Sequence, residues 1–416
     1  MNKKEITEFN SSFATEELHL KKLQLHWLLQ ITKAINYDLP ASNLFDLYYQ
    51  VLRDHIKVRE LLLFIYNENE GWKLIIQHGI TLDLSGIDFS SEFDRIEEKK
   101  MGLMNETSWS NSFEYIIPVN HNGKTLAYAF LSGINKEGYS NNRELLPFIH
   151  TITNIIVVAI ENKRLNRDNI QQAAFKKEIE LAAKMQSMLF PKISNLHPNI
   201  DLAATYIPHQ HVGGDYYDFI KYDDHTFYLC MADVSGKGLS AALLMSNFQA
   251  NLHALIKHNY SLEDMTHELN RCINNAAQGE KFITVFLGKL DLKTRQLSFI
   301  NAGHNPPLIL SKDSFTYLKK GTIGLGMFDE LPFLNTGSIS FPAYSILFCY
   351  TDGLSELENE QGEFFGNDNI EQMLKLNSHA LSMLHLNEQV IHTMNAYRGE
   401  MGYTDDVTLL SCRIIG

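Results

Sequence analysis

HVGGDYYDFIKYDDHTFYLCMADVSGKG, residues 211–238, decides how the second half of this chain is read. Two glycines lead into Asp215, and an apolar run, TFYLCMA (226–232), ends directly in Asp233-Val234-Ser235-Gly236. A carboxylate set against a strand of buried composition is costly unless a cation or hydrogen bonds compensate it. The pattern recurs twice. YSILFCY (344–350) runs into Thr351-Asp352-Gly353, and Tyr403-Thr404-Asp405-Asp406 precedes the strand VTLLSCRII (407–415). One Asp-Gly pair is most simply a turn. Four acidic turns in one region, each beside a strand end or a glycine, are hard to explain that way. Aspartates without an accompanying Cys or His cluster select hard cations, Mg²⁺ or Mn²⁺ over Zn²⁺. Two such ions bridged by a carboxylate stand about 3.5–4 Å apart and can direct water at phosphorus.

The order of these motifs resembles the metal-dependent protein phosphatases of the PPM (protein phosphatase 2C) family, in particular their bacterial SpoIIE/RsbU branch. The blocks that carry the resemblance begin with EIELAAKMQSMLFP (178–191), VGGDYYDF (212–219) and ADVSGKGLSAALLMS (232–246). They continue with TVFLGKLDLKTRQLSFINAGHNPPLIL (284–310), LFCYTDGLSELENEQGEFFG (347–366) and GYTDDVTLL (402–410). The resemblance implies an α/β sandwich, α-β-β-α, holding two Mn²⁺ or Mg²⁺ ions. By the same resemblance Asp233 bridges the ions, the Val234 carbonyl and Asp215 serve one of them, and Asp352 and Asp405 hold the other. Asp406 stays open, because adjacent acids on an extended chain alternate direction. The implied reaction is hydrolysis of phosphoserine or phosphothreonine on a protein, without a covalent phosphoenzyme. The implied substrate is a STAS-type anti-sigma-factor antagonist in a partner-switching pathway. The early phosphate-binding arginine of the wider family has no counterpart here. Lys237 is read as an exposed turn lysine and His304, in INAGHNPP, as a structural turn residue.

Two other function classes bear on the same residues. A Gly-Gly-Asp turn also occurs in signalling cyclases, but there an acid follows the Asp. Tyr216, a phenol with pKa near 10, cannot replace it. A catalytically silent scaffold would be marked by a lost ligand, and all four key aspartates are present.

The chain has 416 residues, room for two or three domains at roughly 100–200 residues each. Its net charge of −13 argues against nucleic acid or an anionic membrane as the main partner. Cys230, Cys272, Cys349 and Cys412 form no C-x-x-C pair and suit reduced thiols. No secretory stretch opens the sequence, and the longest unbroken apolar run, IIVVAI (155–160), is far short of the ~20 residues of a membrane span. A cytoplasmic location is expected.

Seven glycines fall in residues 1–195 and seventeen in 196–416, so strands and turns are expected mainly in the second part. The first part reads as helix (41–56, capped by Ser42 or Asn43), hairpin (60–80), variable middle, hairpin (114–134 around Asn122-Gly123) and helix. This order is similar to a GAF or PAS sensory domain. Phe175, Ile179, Ala182, Gln186 and Leu189 follow a 4-3-4-3 spacing, a coiled-coil-like seam that Pro191 ends and that predicts a homodimer. The expected organisation is a GAF/PAS-like regulatory α+β domain over 1–160, a helical linker over 161–192 and a phosphatase-type domain over 193–416.

Overall fold

The computed structural model of the chain describes residues 3–68, 70–80, 89, 93, 113–134, 142–192, 197–312 and 314–415. Two compact units divide it, Met1–Gln172 and Ala173–Gly416.

In the first unit α1 (Lys3–Asn36) and α2 (Ala41–Gln50) precede β1 (Glu60–Asn67), β2 (Gly71–His78), β3 (Tyr115–His121) and β4 (Lys124–Ser132). The expected cap of α2 is corrected. The helix starts at Ala41 with Pro40 in the cap position and no side-chain cap bond, while Ser42 Oγ bonds Asn43 Oδ1. Proline presets φ for a helix start and brings no amide of its own to satisfy. The strands form an antiparallel sheet in the order β2-β1-β4-β3. Asn122 and Gly123 both take positive φ (49° and 78°), as a two-residue hairpin turn requires. Strand alternation sends Leu61 and Leu63 to a core with the helices, and Leu62 and Phe64 to an aromatic layer with Tyr128 and Phe130.

A single helix, α3 (Asn142–Ser187), follows. Over Leu145–Ser187 it is long and apolar enough to cross a membrane by length and composition alone. Four of its apolar side chains, Leu145, Ile149, Ile152 and Ile156, lie in the buried core of the first unit.

The second unit is the expected sandwich. Short strands β9 (Gln296–Ala302), β10 (Leu308–Ser311), β11 (Ser314–Tyr317), β12 (Gly321–Thr322) and β13 (Gly337–Ser340) complete two sheets with the strands given next. Among the described residues one is ordered β11-β10-β14-β15-β5 and the other β12-β9-β8-β7-β6, with β13 paired to β9. The strands that matter for the site are β5 (Ile200–Ile207), β6 (Tyr216–Lys221), β7 (Thr226–Val234), β8 (Ile283–Asp291), β14 (Ile346–Tyr350) and β15 (Val407–Ile414). Helices α4 (Leu239–Lys257) and α5 (Leu262–Ala277) cover the outer face of the β7 sheet, and α7 (Gly366–Leu376) and α8 (Met383–Arg398) cover the other; α6 is the single turn Asp352–Ser355.

Phe227, Leu229 and Met231 of β7 meet Leu347, Cys349, Leu410 and Cys412 between the sheets. Each large side chain buried there contributes about 1.5–3 kcal/mol, which fixes the strand registers. The two-residue period then dictates where the acids point. Asp233 follows Phe227, Leu229 and Met231 onto the inner face, and Asp406 and Thr408 precede Leu410 and Cys412 onto it. All four cysteines are unpaired, and Cys230, Cys349 and Cys412 are buried.

Candidate active site

At one end of the sandwich the acid turns of both sheets meet. Antiparallel pairing of Tyr216 with Ala232 brings Asp215 beside Asp233, and pairing of Tyr350 with Leu409 brings Thr351 beside Thr408. The two pairs are joined through Asp215, whose Oδ2 accepts from Thr351 Oγ1 at 2.8 Å and Thr408 Oγ1 at 2.5 Å. Asp406 ties down the glycine turn, accepting the Gly214 amide on Oδ2 and the His209 amide on Oδ1, both at 2.8 Å. Gly213 must be glycine here, because a Cβ would stand 2.0 Å from Asp406 Oδ2 and 2.2 Å from the Tyr206 hydroxyl. Gln186, from the end of α3, completes the clamp. Its Nε2 donates to the Gly213 carbonyl at 2.7 Å and its Oε1 accepts the Gly213 amide at 3.3 Å.

The electrostatics show what this assembly costs. Burial, then the neighbouring Asp233 charge, pushes the Asp215 carboxyl well above its ordinary range, against the pull of the Thr408 and Thr351 hydroxyls. Asp233 is pushed up to about 7, chiefly by burial and then by Asp352 and Asp405. Asp352, which opens α6, is pushed up to about 6 by burial and by Asp405. Opposed carboxylates of this kind are stabilised in ionised form by a cation among them. The donor set is all oxygen, which fits hard divalent ions. Among the described residues no three His, Cys, Asp or Glu side chains already stand in ion-holding geometry, so the fit rests on donor chemistry and mutual repulsion.

With this geometry in hand, comparison with known proteins is informative. Residues 223–415 match the family described as Stage II sporulation protein E (SpoIIE). Over these residues the chain is similar to SpoIIE-type PP2C domains. It is 28% identical over 193 residues to the phosphoserine phosphatase RsbU of Bacillus subtilis, covering 46% of this chain and 57% of that protein. It is 29% identical over 188 residues to RsbP, another phosphoserine phosphatase of that organism, covering 44% and 46%. The chain thus spans about half the length of the curated relatives it matches. The solved SiaA-PP2C domain of Pseudomonas aeruginosa shares the fold, with a TM-score of 0.52 at 21% identity, covering 59% of this chain and 98% of that one.

Within the second unit the remaining singled-out residues have definite places. Asp405 lies just outside β15 and pairs with Lys237 at 2.8 Å, while Lys237 also donates to the Thr404 carbonyl at 2.5 Å. The lysine is half exposed, as expected of a turn residue, yet it cross-links two acid turns. Val234 is buried as the last residue of β7, and its carbonyl faces the Gly214 turn. His304 is buried, with Nδ1 3.0 Å from Thr284 Oγ1 and its amide bonded to Asn301 Oδ1. Burial lowers its pKa to about 4, with the Tyr350 backbone opposing in part, so the ring is neutral at pH 7. His304→Ala is therefore expected to lower the melting temperature by several degrees, the usual scale for losing about 1–2 kcal/mol, with turnover retained. Loss of turnover at unchanged melting temperature would reverse that assignment.

Sequence reasoning did not single out Thr351 or Thr408 as partners of Asp215, nor Gln186 as the clamp on Gly213. The available signal for the threonines was their place one residue before Asp352 and two after Asp406. At its own position Gln186 departs from the expected seam, since its side chain is committed to the Gly213 turn.

Proposed function

We propose that the domain hydrolyses phosphoserine or phosphothreonine esters on a regulatory protein. The observation that carries this reading is the convergence of Asp215, Asp233, Asp352 and Asp405 at one end of the sandwich, with burial and mutual repulsion raising the first three. Asp233 would bridge two divalent ions, the Val234 carbonyl and Asp215 would serve one, and Asp352 and Asp405 the other. Such ions, when bound, supply Lewis acidity toward a phosphoryl oxygen and toward water. The chain's own part is placement. Asp406 and Gln186 hold the glycine turn, the Thr351 and Thr408 hydroxyls orient Asp215, and Lys237 keeps the 403–406 turn against the one after Asp233. A STAS-domain phosphoprotein is the proposed substrate, with the first unit controlling turnover. RsbU-type relatives and the absence of any lost ligand among the four aspartates favour this over a silent scaffold.

Turnover of p-nitrophenyl phosphate by the full chain is expected to require added Mn²⁺ or Mg²⁺ and to vanish in excess EDTA. Undiminished activity in chelator would sink the reading.

We also propose a homodimer through the exposed apolar residues of the last turns of α3, where Phe175, Leu181 and Met185 remain uncovered. Ile179→Asp is expected to halve the molar mass measured by light scattering. A variant that stays dimeric would remove the seam.

A further inference from the structure

A second cluster lies between β6 and α4. Asp218 is 2% exposed, and its carboxylate is fully engaged. Tyr216 Oη donates to Oδ2, the Phe219 amide donates to Oδ1 at 2.8 Å, and His253 Nε2 stands 2.6 Å from Oδ2. A buried carboxylate needs such compensation. The imidazole comes from α4 and is 44% exposed, and with Nε2 committed its remaining ring donor is Nδ1. The Asp218 hydrogen bond also holds the His253 pKa above its usual value against the effect of burial.

Beside this ring opens a cavity of about 480 Å³. Lys221, His253 and Lys257 line it together with Ile220, Tyr222 and Ile256. Two acids lie nearby on the β6–β7 turn. Asp224 meets Lys221 at 2.8 Å, but its side chain is 82% exposed, so solvent screens the pair. Asp223 is spent on the amides of His225 and Thr226. Asp218 is sealed behind the imidazole. Two basic residues and one anchored imidazole, from two elements, therefore line the cavity beside apolar side chains.

We infer that this cavity binds a phosphate-class oxyanion. Lysine ammonium groups act as point charges that suit a tetrahedral anion, and an imidazole held by a buried carboxylate adds a directional donor without needing to be ordered on binding. The six steps from Asp215 to Lys221 span about 20 Å in extended chain, so one small anion cannot contact both Lys221 and Asp215. The inference does not depend on the proposed hydrolysis.

The test uses the full chain labelled with ¹³C-histidine, in EDTA, at fixed pH and with ionic strength balanced by chloride. Inorganic phosphate is titrated while the His253 ring signal, assigned through His253→Gln, is followed. The expected result is a saturable shift with a midpoint of roughly 1–10 mM, weakened about ten-fold or more in Lys221→Ala/Lys257→Ala. Turnover of p-nitrophenyl phosphate by that double variant should stay within about two-fold of the parent, a change of under 0.5 kcal/mol. A parallel titration with O-phosphoserine separates the sources. Tighter binding than phosphate assigns the site to a phosphorylated chain, and equal binding assigns it to the free anion. A linear, non-saturating shift overturns the inference, as does a saturable one that the double lysine variant leaves unchanged.

Discussion

Asp233→Asn is expected to lower metal-dependent turnover by about three orders of magnitude or more, the scale on which losing one preorganised electrostatic group is felt, with the fold intact. Asp233 is the acid whose position is most completely dictated by the fold. It is the penultimate residue of a strand whose other inner-face side chains are Phe227, Leu229 and Met231, so it cannot turn outward without shifting the register of β7 against β6 and β8. Asp233 is raised, besides burial, by Asp352, Asp405 and Asp406, and it is hydrogen-bonded to Asp215. Replacing it removes one negative charge at the common point while Asn keeps the shape. Asp352→Asn and Asp405→Asn should each cost less, because each would serve one ion where Asp233 would serve both. The measurement is steady-state turnover of a phosphoserine peptide over a range of Mn²⁺ concentrations, with far-UV circular dichroism on the same samples. A folded Asp233→Asn protein within ten-fold of the parent at saturating Mn²⁺ would contradict the bridging role.

The site was legible in the sequence to the extent that each part of it offended a local rule. Asp233 and Asp352 stand out because a carboxylate directly after a buried strand needs a reason, and the sandwich was expected only through the family resemblance that the order of the motifs carries. Residues obeying their local rules stayed invisible. Thr351, just after β14, and Thr408, in β15, look ordinary until the pairing of the two strands turns both hydroxyls onto Asp215. Gln186 occupies a plausible heptad position, and only the turn at Gly213 reveals that it faces inward. The choice between Asp405 and Asp406 depended on where β15 begins. With Val407 as its first residue, Asp406 takes the inner phase and holds the glycine turn, and Asp405, outside the strand, is left for Lys237. Asp218 and His253 are 35 residues apart, on a strand and a helix, and no periodicity links such a pair.

The same substitution that abolishes turnover should stabilise the chelated protein at neutral and higher pH. Asp233 sits near 7 in the fold, against about 4 for an unfolded aspartate. Between those values the folded state holds a proton that the unfolded state has lost, so folding stability falls as pH rises through the window. Above pH 7 the full cost is present, on the order of 4 kcal/mol for a three-unit difference. Below about pH 4 it is gone. Asn carries no such charge, and its presence also relieves Asp215, whose carboxyl is raised in part by Asp233. His304 works in the opposite direction, since a buried neutral imidazole loses stability as pH falls toward 4, but it is common to both proteins and cancels in their difference. In EDTA at pH 8 the Asp233→Asn variant should therefore melt several degrees above the parent, with the gap closing toward pH 5. Adding Mn²⁺ at pH 8 should raise the parent's melting temperature and move the variant's little, because a ligand stabilises only the state that binds it. Equal melting temperatures in EDTA at pH 8 would mean that the acids of this site do not repel one another in the folded chain. The need for a cation would then have to be argued from something other than their charge.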